Sequence, residues 1–279
     1  MVRLQASLFL CSLAAVVASP LCSFEHCGSE MWECLRDEKC RAVTTCQLGC
    51  AKMGKNFGGC AQMCHQDHPS SVSDNMTACL FDNHCMPVPF PMVDHCKTPK
   101  SSKPIGTKMM QGLWWTVRGY DKISDCQACN FRQWLPKPNS SFWSYGDNTG
   151  VVDINGNYNN FTYFNDVRPS ETDSKDSLVY HWGLEAGMNM KEEWWLLDET
   201  EEYKQIYYCT TDLKIAPGKQ LEGGLILSKT KDVPTSNAPR IADIFKESAG
   251  LDYDAFCSND NTCPVGPAKK TSESATMVI

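Results

Sequence analysis

The sequence predicts a mainly β fold, an antiparallel up-and-down barrel with a C-terminal helix, preceded by a small disulfide-rich α-helical domain. Three observations predict it. Eleven cysteines crowd residues 22–96. From Gly112 onward, short runs rich in β-branched and aromatic residues alternate with Gly, Asn and Asp turn signals, and no crossover helix fits between most of them. A stretch from about Ala238 to Ala249, stopped by Gly250, has the form of a closing helix.

Residues 1–19 have the form of a secretory signal: Arg3, an apolar stretch from Leu8 to Val17, and the small residues Val16 and Ala18 ahead of a cut near Ser19. The apolar stretch is too short to cross a bilayer, and no later run reaches the eighteen or so apolar residues that a spanning helix needs. A soluble mature chain with at most peripheral membrane contact is the expectation. The net charge of −7, without a long basic run, argues against nucleic acid or an anionic membrane surface as the main partner. Removing Cys11 with the signal leaves sixteen of the seventeen cysteines, an even number delivered to an oxidising compartment, so disulfides are expected. Sequons at Asn75, Asn139 and Asn160 fit a glycosylating lumen. No Ser/Arg-rich transit stretch precedes Cys22.

The cysteine-rich domain is placed at residues 20–96. Cys46 and Cys50 are four apart, as are Cys60 and Cys64, which sets each pair on one helix face. Gly54, Gly58 and Gly59 supply a turn between them. Antiparallel packing then pairs Cys46 with Cys64 and Cys50 with Cys60. The same nested logic predicts Cys22 with Cys40 outside Cys27 with Cys34, and a short hairpin closed by Cys79 with Cys85. Two C-x3-C pairs could instead hold zinc, but cysteines this numerous behind a signal peptide favour oxidation, and no metal is expected. His26, His65, His68, His84 and His95 lie beside these cysteines and are expected to be exposed.

Five prolines between Met86 and Gly106 mark an extended segment, with the linker itself at 97–106. The barrel is placed at 107–265 and a disordered tail at 266–279. Its strands are expected at 130–134, 141–145, 150–154, 159–164, 178–182, 192–197, 205–209 and 224–227, after an opening strand from Gly112 to Arg118. Gly146-Asp-Asn, Asn155-Gly156 and Gly223-Gly224 are expected to be turns. An eight-stranded barrel of this kind can enclose one small apolar ligand.

The cysteine series from Cys22 to Cys85, the Gly112-Leu-Trp114 opening, Gly223-Gly224 and the closing Asp260-Asn-Thr-Cys263 resemble the violaxanthin de-epoxidases and their algal like-proteins over most of residues 22–265. The resemblance implies a lipocalin-like barrel, a bridge from Cys129 to Cys263, and a plastid (thylakoid) lumen as the alternative to secretion. It leaves Cys96, Cys126, Cys209 and Cys257 for two further bridges whose pairing stays open. It also implies an epoxy-carotenoid in the barrel, with the epoxide removed reductively by ascorbate or rearranged. A non-catalytic secreted lipocalin binding a carotenoid or lipid is the alternative.

Opening an epoxide requires a proton on its oxygen, hence a carboxylic acid still protonated at working pH, and burial in an apolar barrel raises a carboxyl pKa. By resemblance Asp125 takes the place of the aspartate ahead of a barrel cysteine. Glu192, in Glu192-Glu193-Trp194-Trp195, takes the place of the aspartate proposed as proton donor, and Trp194 that of its aromatic neighbour. Tyr208 matches a site tyrosine, and Trp114 is a further candidate ligand contact. Alternation sets Glu192, Trp194 and Leu196 on one face, without saying which face is inside. A second site tyrosine of the family is replaced here by Ser228, and the family's barrel histidines are largely missing, His181 lying only near one of them.

Overall fold

The computed structural model describes residues 20–50, 60–61, 64–65, 67–85, 92–122, 125–136, 143–152, 158–169, 177–181, 191–211 and 218–262, with backbone only at residue 20, at 107–108, from 143 to 181 and at 211. The signal, the Asn155-Gly156 turn, Cys263 and the tail at 266–279 lie outside them. Among the described residues no helix is long and apolar enough to cross a membrane.

The N-terminal module is helical, with α1 (Pro20–Arg36), α2 (Glu38–Cys50) and α3 (Ser71–Asp82), and helical residues also at 60–61 and 64–65. Their starts are tied together. The Cys40 N–H donates to Asp37 Oδ1 (2.6 Å) at the head of α2, and the Ser73 N–H donates to the Ser70 hydroxyl (3.2 Å), the N-cap of α3. The Ser70 hydroxyl in turn donates to Asp37 Oδ1 (3.1 Å), so two caps share one carboxylate.

Cys46–Cys64 and Cys50–Cys60 bridge as the four-residue spacing requires. The remaining pairings correct the expectation: Cys22 bonds Cys85, Cys27 bonds Cys79, and Cys34 bonds Cys40. The reason is that α1 packs antiparallel on α3, so the outer cysteines reach across the whole module and only Cys34 and Cys40 close a local corner. The nesting is real but spans the module. Cys46, Cys50 and Cys64 approach one another as metal ligands would, yet their sulfurs are taken by these bridges. Cys34 and Cys40 form the small core with Met76, packed by Met31, Val72 and Leu80. Each bridge contributes about 2 to 4 kcal/mol, which a core this thin needs.

The Pro-rich segment is held against the barrel, not left as a free linker. Strand β1 (Met92–Val93) pairs with β9 (Gln220–Ser228), Cys96 bonds Cys209, and the Lys103 N–H donates to the Leu196 carbonyl (2.7 Å). Ile105 is buried with the barrel core, as is Phe81 of α3.

Strands β2 (Gly112–Gly119), β3 (Phe131–Pro136), β4 (Trp143–Val152), β5 (Tyr158–Pro169), β6 (Ser177–His181), β7 (Lys191–Glu199), β8 (Tyr203–Thr211) and β9 pair antiparallel in chain order. The β9–β2 pairing closes the barrel, and β10 (Cys257–Ser258) adds to β2. Two expected turns are strand. Gly146-Asp-Asn lies within β4, and Gly223 and Gly224 lie within β9. Helix α4 (Ala238–Ile244) continues as a π-helical turn over Phe245–Ala249 and ends at Gly250, whose φ of 77° suits glycine.

Two buried clusters divide along strand alternation. Trp114, Trp134, Trp194, Leu196, Ile206 and Leu225 form the interior. Trp115, Trp195, Tyr207 and Ile226 pack with Ile241 and Phe245 of the closing helix, so theirs is the outer face. On that outer side Asp198 Oδ1 accepts from Lys103 Nζ (2.7 Å) and Arg240 Nη2 (2.8 Å), and Oδ2 accepts from the Tyr203 hydroxyl. Burial works to raise the Asp198 pKa, but the bonds from Lys103 and Tyr203 and the Lys103 charge prevail and hold it below 3.8. A depressed folded pKa gives stability that is present above the unfolded value and lost as pH falls through the folded one. Asp198→Asn should therefore cost on the order of 2 kcal/mol near neutral pH, discounted because Lys103 and Arg240 are half-exposed, and the gap to wild type should shrink in acid. Urea melts at neutral and acid pH check this.

Candidate functional site

The register decides which way the candidates point. Trp194 lies opposite Tyr208, Glu192 opposite Thr210, and Tyr208 opposite Gly223. Since Trp194 and Tyr208 belong to the interior cluster, Glu192 and Thr210 face inward with them. Trp195 faces out onto Tyr207.

Asp125 enters from the loop after β2. The loop folds back over Gly119, where an added Cβ would stand 2.0 Å from Asp125 Cβ. Only glycine lets the aspartate settle there. On the adjoining strand β9 Gly223 does the same for Tyr208, since a Cβ on it would lie 2.1 Å from the ring. Gly224 faces outward, where its Cβ would meet Phe245, Phe256 and Leu251 at 2.9 to 3.2 Å. The Gly-Gly pair thus permits close approach on both faces of one strand, which explains why it is not a turn.

The result is a buried polar cluster. The Tyr208 hydroxyl donates to Asp125 Oδ2 (2.7 Å), and the Asp121 N–H donates to the same oxygen (3.1 Å). Arg132 Nη2 stands 3.7 Å from Asp125 Oδ1, and its guanidinium lies 5.2 Å from the centre of the Trp194 ring. Trp194 Nε1 donates to Glu192 Oε2 (2.7 Å), and the Thr210 hydroxyl donates to Oε1 (3.4 Å). Trp194 also stacks on Tyr208, with ring centres 6.4 Å apart, and meets Trp134 edge-on.

Burial pushes the Asp125 carboxyl well above its ordinary 3.8. The Asp121 carboxylate adds to this, Arg132 and the Tyr208 bond oppose it, and Glu192 pushes it further up. Burial and the same carboxylates raise Tyr208, so it stays a phenol that can donate. Asp125 Oδ2 thus accepts two bonds, while Oδ1 faces the Arg132 guanidinium. Glu192 faces the same interior and accepts from an indole and a hydroxyl.

Asp125, Glu192, Trp194 and Tyr208 therefore come together. Trp114 belongs to the same interior cluster but stands away from Asp125. Its Nε1 donates to the Met110 carbonyl (3.1 Å), and Lys229 Nζ lies 3.5 Å from its ring centre. It packs the far end of β2, five residues from Gly119, or about 17 Å along the strand. Ser228 is opposite Tyr203 and Trp115 of the outer cluster and shares a hydrogen bond with Thr230 (3.1 Å), so the lost tyrosine position faces away from the interior. His181 lies opposite Lys191, in a stretch described by backbone only.

Two bridges that the sequence left open flank the cluster. Cys126, next to Asp125, bonds Cys257, and Cys209, next to Tyr208, bonds Cys96. Cys129 is itself disulfide-bonded, with its partner outside the described residues. Its φ of 54° places it in the left-handed region. Arg132, Thr210 and Asp121 were not anticipated. Alternation through Asn130, Arg132 and Trp134 could have signalled an inward cation.

The model of the VDE lipocalin domain matches residues 19–261. The chain belongs to this family, that of the violaxanthin de-epoxidases. A comparison with curated proteins finds no match. Among solved structures, this VDE-family chain is similar to insecticyanin from the tobacco hornworm Manduca sexta, with 16% identity and a TM-score of 0.47 over 61% of this chain and 89% of that one. It is also similar to H1 crustacyanin from the lobster Homarus americanus, with 13% identity and a TM-score of 0.41 over 62% and 92%. The bovine lipocalin allergen Bos d 2 gives 12% and 0.41 over 58% and 100%.

Proposed function

We propose that this VDE-family lipocalin opens the epoxide of an apolar epoxy-xanthophyll held in its barrel, with Asp125 as the acid and Glu192 as the base. The observation that carries the reading is the burial of Asp125 against Gly119, with the Tyr208 hydroxyl on one carboxyl oxygen and the other facing the interior residue Arg132. Protonation of the epoxide oxygen lets a C–O bond break. In the reductive course ascorbate gives two electrons, two protons are taken up in all, and the oxygen leaves as water with a carbon–carbon double bond remaining. In the rearranging course no reductant is needed. The oxygen stays as a hydroxyl and a carbon-bound proton passes to the Glu192 carboxylate. The Trp194–Tyr208 stack and Trp134 offer the polyene an apolar wall.

The barrel's disulfides call for an oxidising compartment, and the family points to a plastid lumen, where contact with the membrane that dissolves the pigment would be peripheral. The test is to incubate the oxidised protein with violaxanthin at about pH 5, with and without ascorbate, and to separate the products, an acidic medium being needed if a carboxylic acid is the proton source. Zeaxanthin formed only with ascorbate supports reduction, and an allenic product without it supports rearrangement. Bound but unchanged pigment would leave a carrier. Arg132 holds the Asp125 pKa down, so Arg132→Met should move the alkaline limb of the pH–rate profile upward. A limb unchanged in that variant would separate Asp125 from the titration that governs rate.

A further inference from the structure

We propose that Asn259 is a positioning residue for Asp125, and that the strap from Cys257 to Asn261 holds the acid-bearing loop in place over Gly119. The proposal rests on the reading of Asp125 as the acid.

The loop is tied to the strands at its ends, where the Tyr120 N–H donates to the Gly224 carbonyl (2.9 Å) and the Asn130 carbonyl accepts from the Thr116 N–H (2.9 Å), whereas Asp125 lies between them, outside the strands, and its peptide unit must be fixed by other means. The strap supplies them. On one side it runs along β2: Cys257 pairs with Gly119, Ser258 with Arg118, the Asn259 N–H donates to the Val117 carbonyl (3.1 Å), and Asn261 Nδ2 donates to the Thr116 carbonyl (3.0 Å). On the other side it grips the loop. Asn259 Nδ2 donates to the Asp125 main-chain carbonyl (2.7 Å), the Cys129 N–H donates to the Asp260 carbonyl (2.9 Å), and Cys257 is bonded to Cys126. Asn259 is the residue that joins the two sides at Asp125 itself.

The geometry has a chemical consequence. The Asp125 carboxyl keeps its buried place only while its own peptide unit is fixed, because a small shift of the Cα would carry the group away from Tyr208 and toward water. A side chain that merely filled space in the strap would influence stability alone. Asn261 provides the comparison: it lies two residues on and is buried, but its bonds go to Thr116 and to the Lys231 carbonyl (3.3 Å), neither in the loop.

The experiment is a carboxyl 13C NMR titration of Asp125 in the full oxidised protein, for wild type, Asn259→Ala, Asn259→Gln and Asn261→Ala, with thermal melts alongside. Asn259 is half-buried and the Cys126–Cys257 bridge remains, so its variants keep the strap attached. The expected result is an Asp125 midpoint that falls by on the order of one pH unit in Asn259→Ala, as water reaches the group, and recovers toward wild type in Asn259→Gln, which keeps a donor. Asn261→Ala should melt lower without moving the midpoint. A raised wild-type midpoint left unmoved by Asn259→Ala, or moved as far by Asn261→Ala, overturns the positioning role and leaves the acid reading standing. A wild-type midpoint already near 3.8 removes the acid reading and this proposal with it.

Discussion

Asp125→Asn is expected to slow epoxide opening by at least about a hundredfold while leaving the protein folded. The amide oxygen can still accept from the Tyr208 hydroxyl and the Asp121 N–H, so the cluster keeps its two strongest contacts to this side chain. What is lost is the proton. The variant should also reveal the linkage. Because the folded pKa of Asp125 is raised, the wild-type fold binds a proton that the unfolded chain releases, and its stability rises as pH falls through the folded value. Asp125→Asn lacks this contribution and should show a flatter acid side in denaturant melts. Undiminished turnover in the variant would remove Asp125 from the chemistry.

Gly119→Ala should have the larger structural effect. Its Cβ would stand 2.0 Å from Asp125 Cβ and 3.1 Å from the Cα and carbonyl carbon of the same residue. The obstructing atoms belong to a backbone held by Asn259 and the Cys126–Cys257 bridge, so no flexible end can swing aside. Overpacking of this kind costs about 1 to 3 kcal/mol, and more where the neighbour cannot yield. Urea denaturation should register that loss, and the displaced acid should reduce turnover as severely as Asp125→Asn does. A variant with wild-type stability and rate would mean that the loop does not sit on Gly119.

Much of this architecture was legible because local rules and tertiary contacts agree. The i, i+4 cysteines give two bridges correctly, and the strand alternation that groups Glu192, Trp194 and Leu196 is the one observed. The failures share a cause, which is that a short-range rule was applied where a long-range contact governs. Cys22 and Cys27 reach α3 because helix packing, not proximity in sequence, brings cysteines together. Gly223 and Gly224 look like a turn by composition, but each is small because an aromatic ring approaches it, Tyr208 inside and Phe245 outside. Arg132 escaped notice because a charged residue in a strand is ordinarily read as exposed, and only the closed barrel makes its face an interior one.

The central claim is that the barrel holds Asp125 neutral at a pH where an ordinary aspartate is ionised. Isotope-edited infrared difference spectroscopy of the oxidised protein tests it most directly, following the protonated-carboxyl stretch as pH is raised, with Asp125→Asn as the assignment control. The account predicts a protonated carboxyl band that persists well above 3.8 and is missing from the variant. A band that vanishes in the ordinary aspartate range, or that remains in Asp125→Asn, would contradict it.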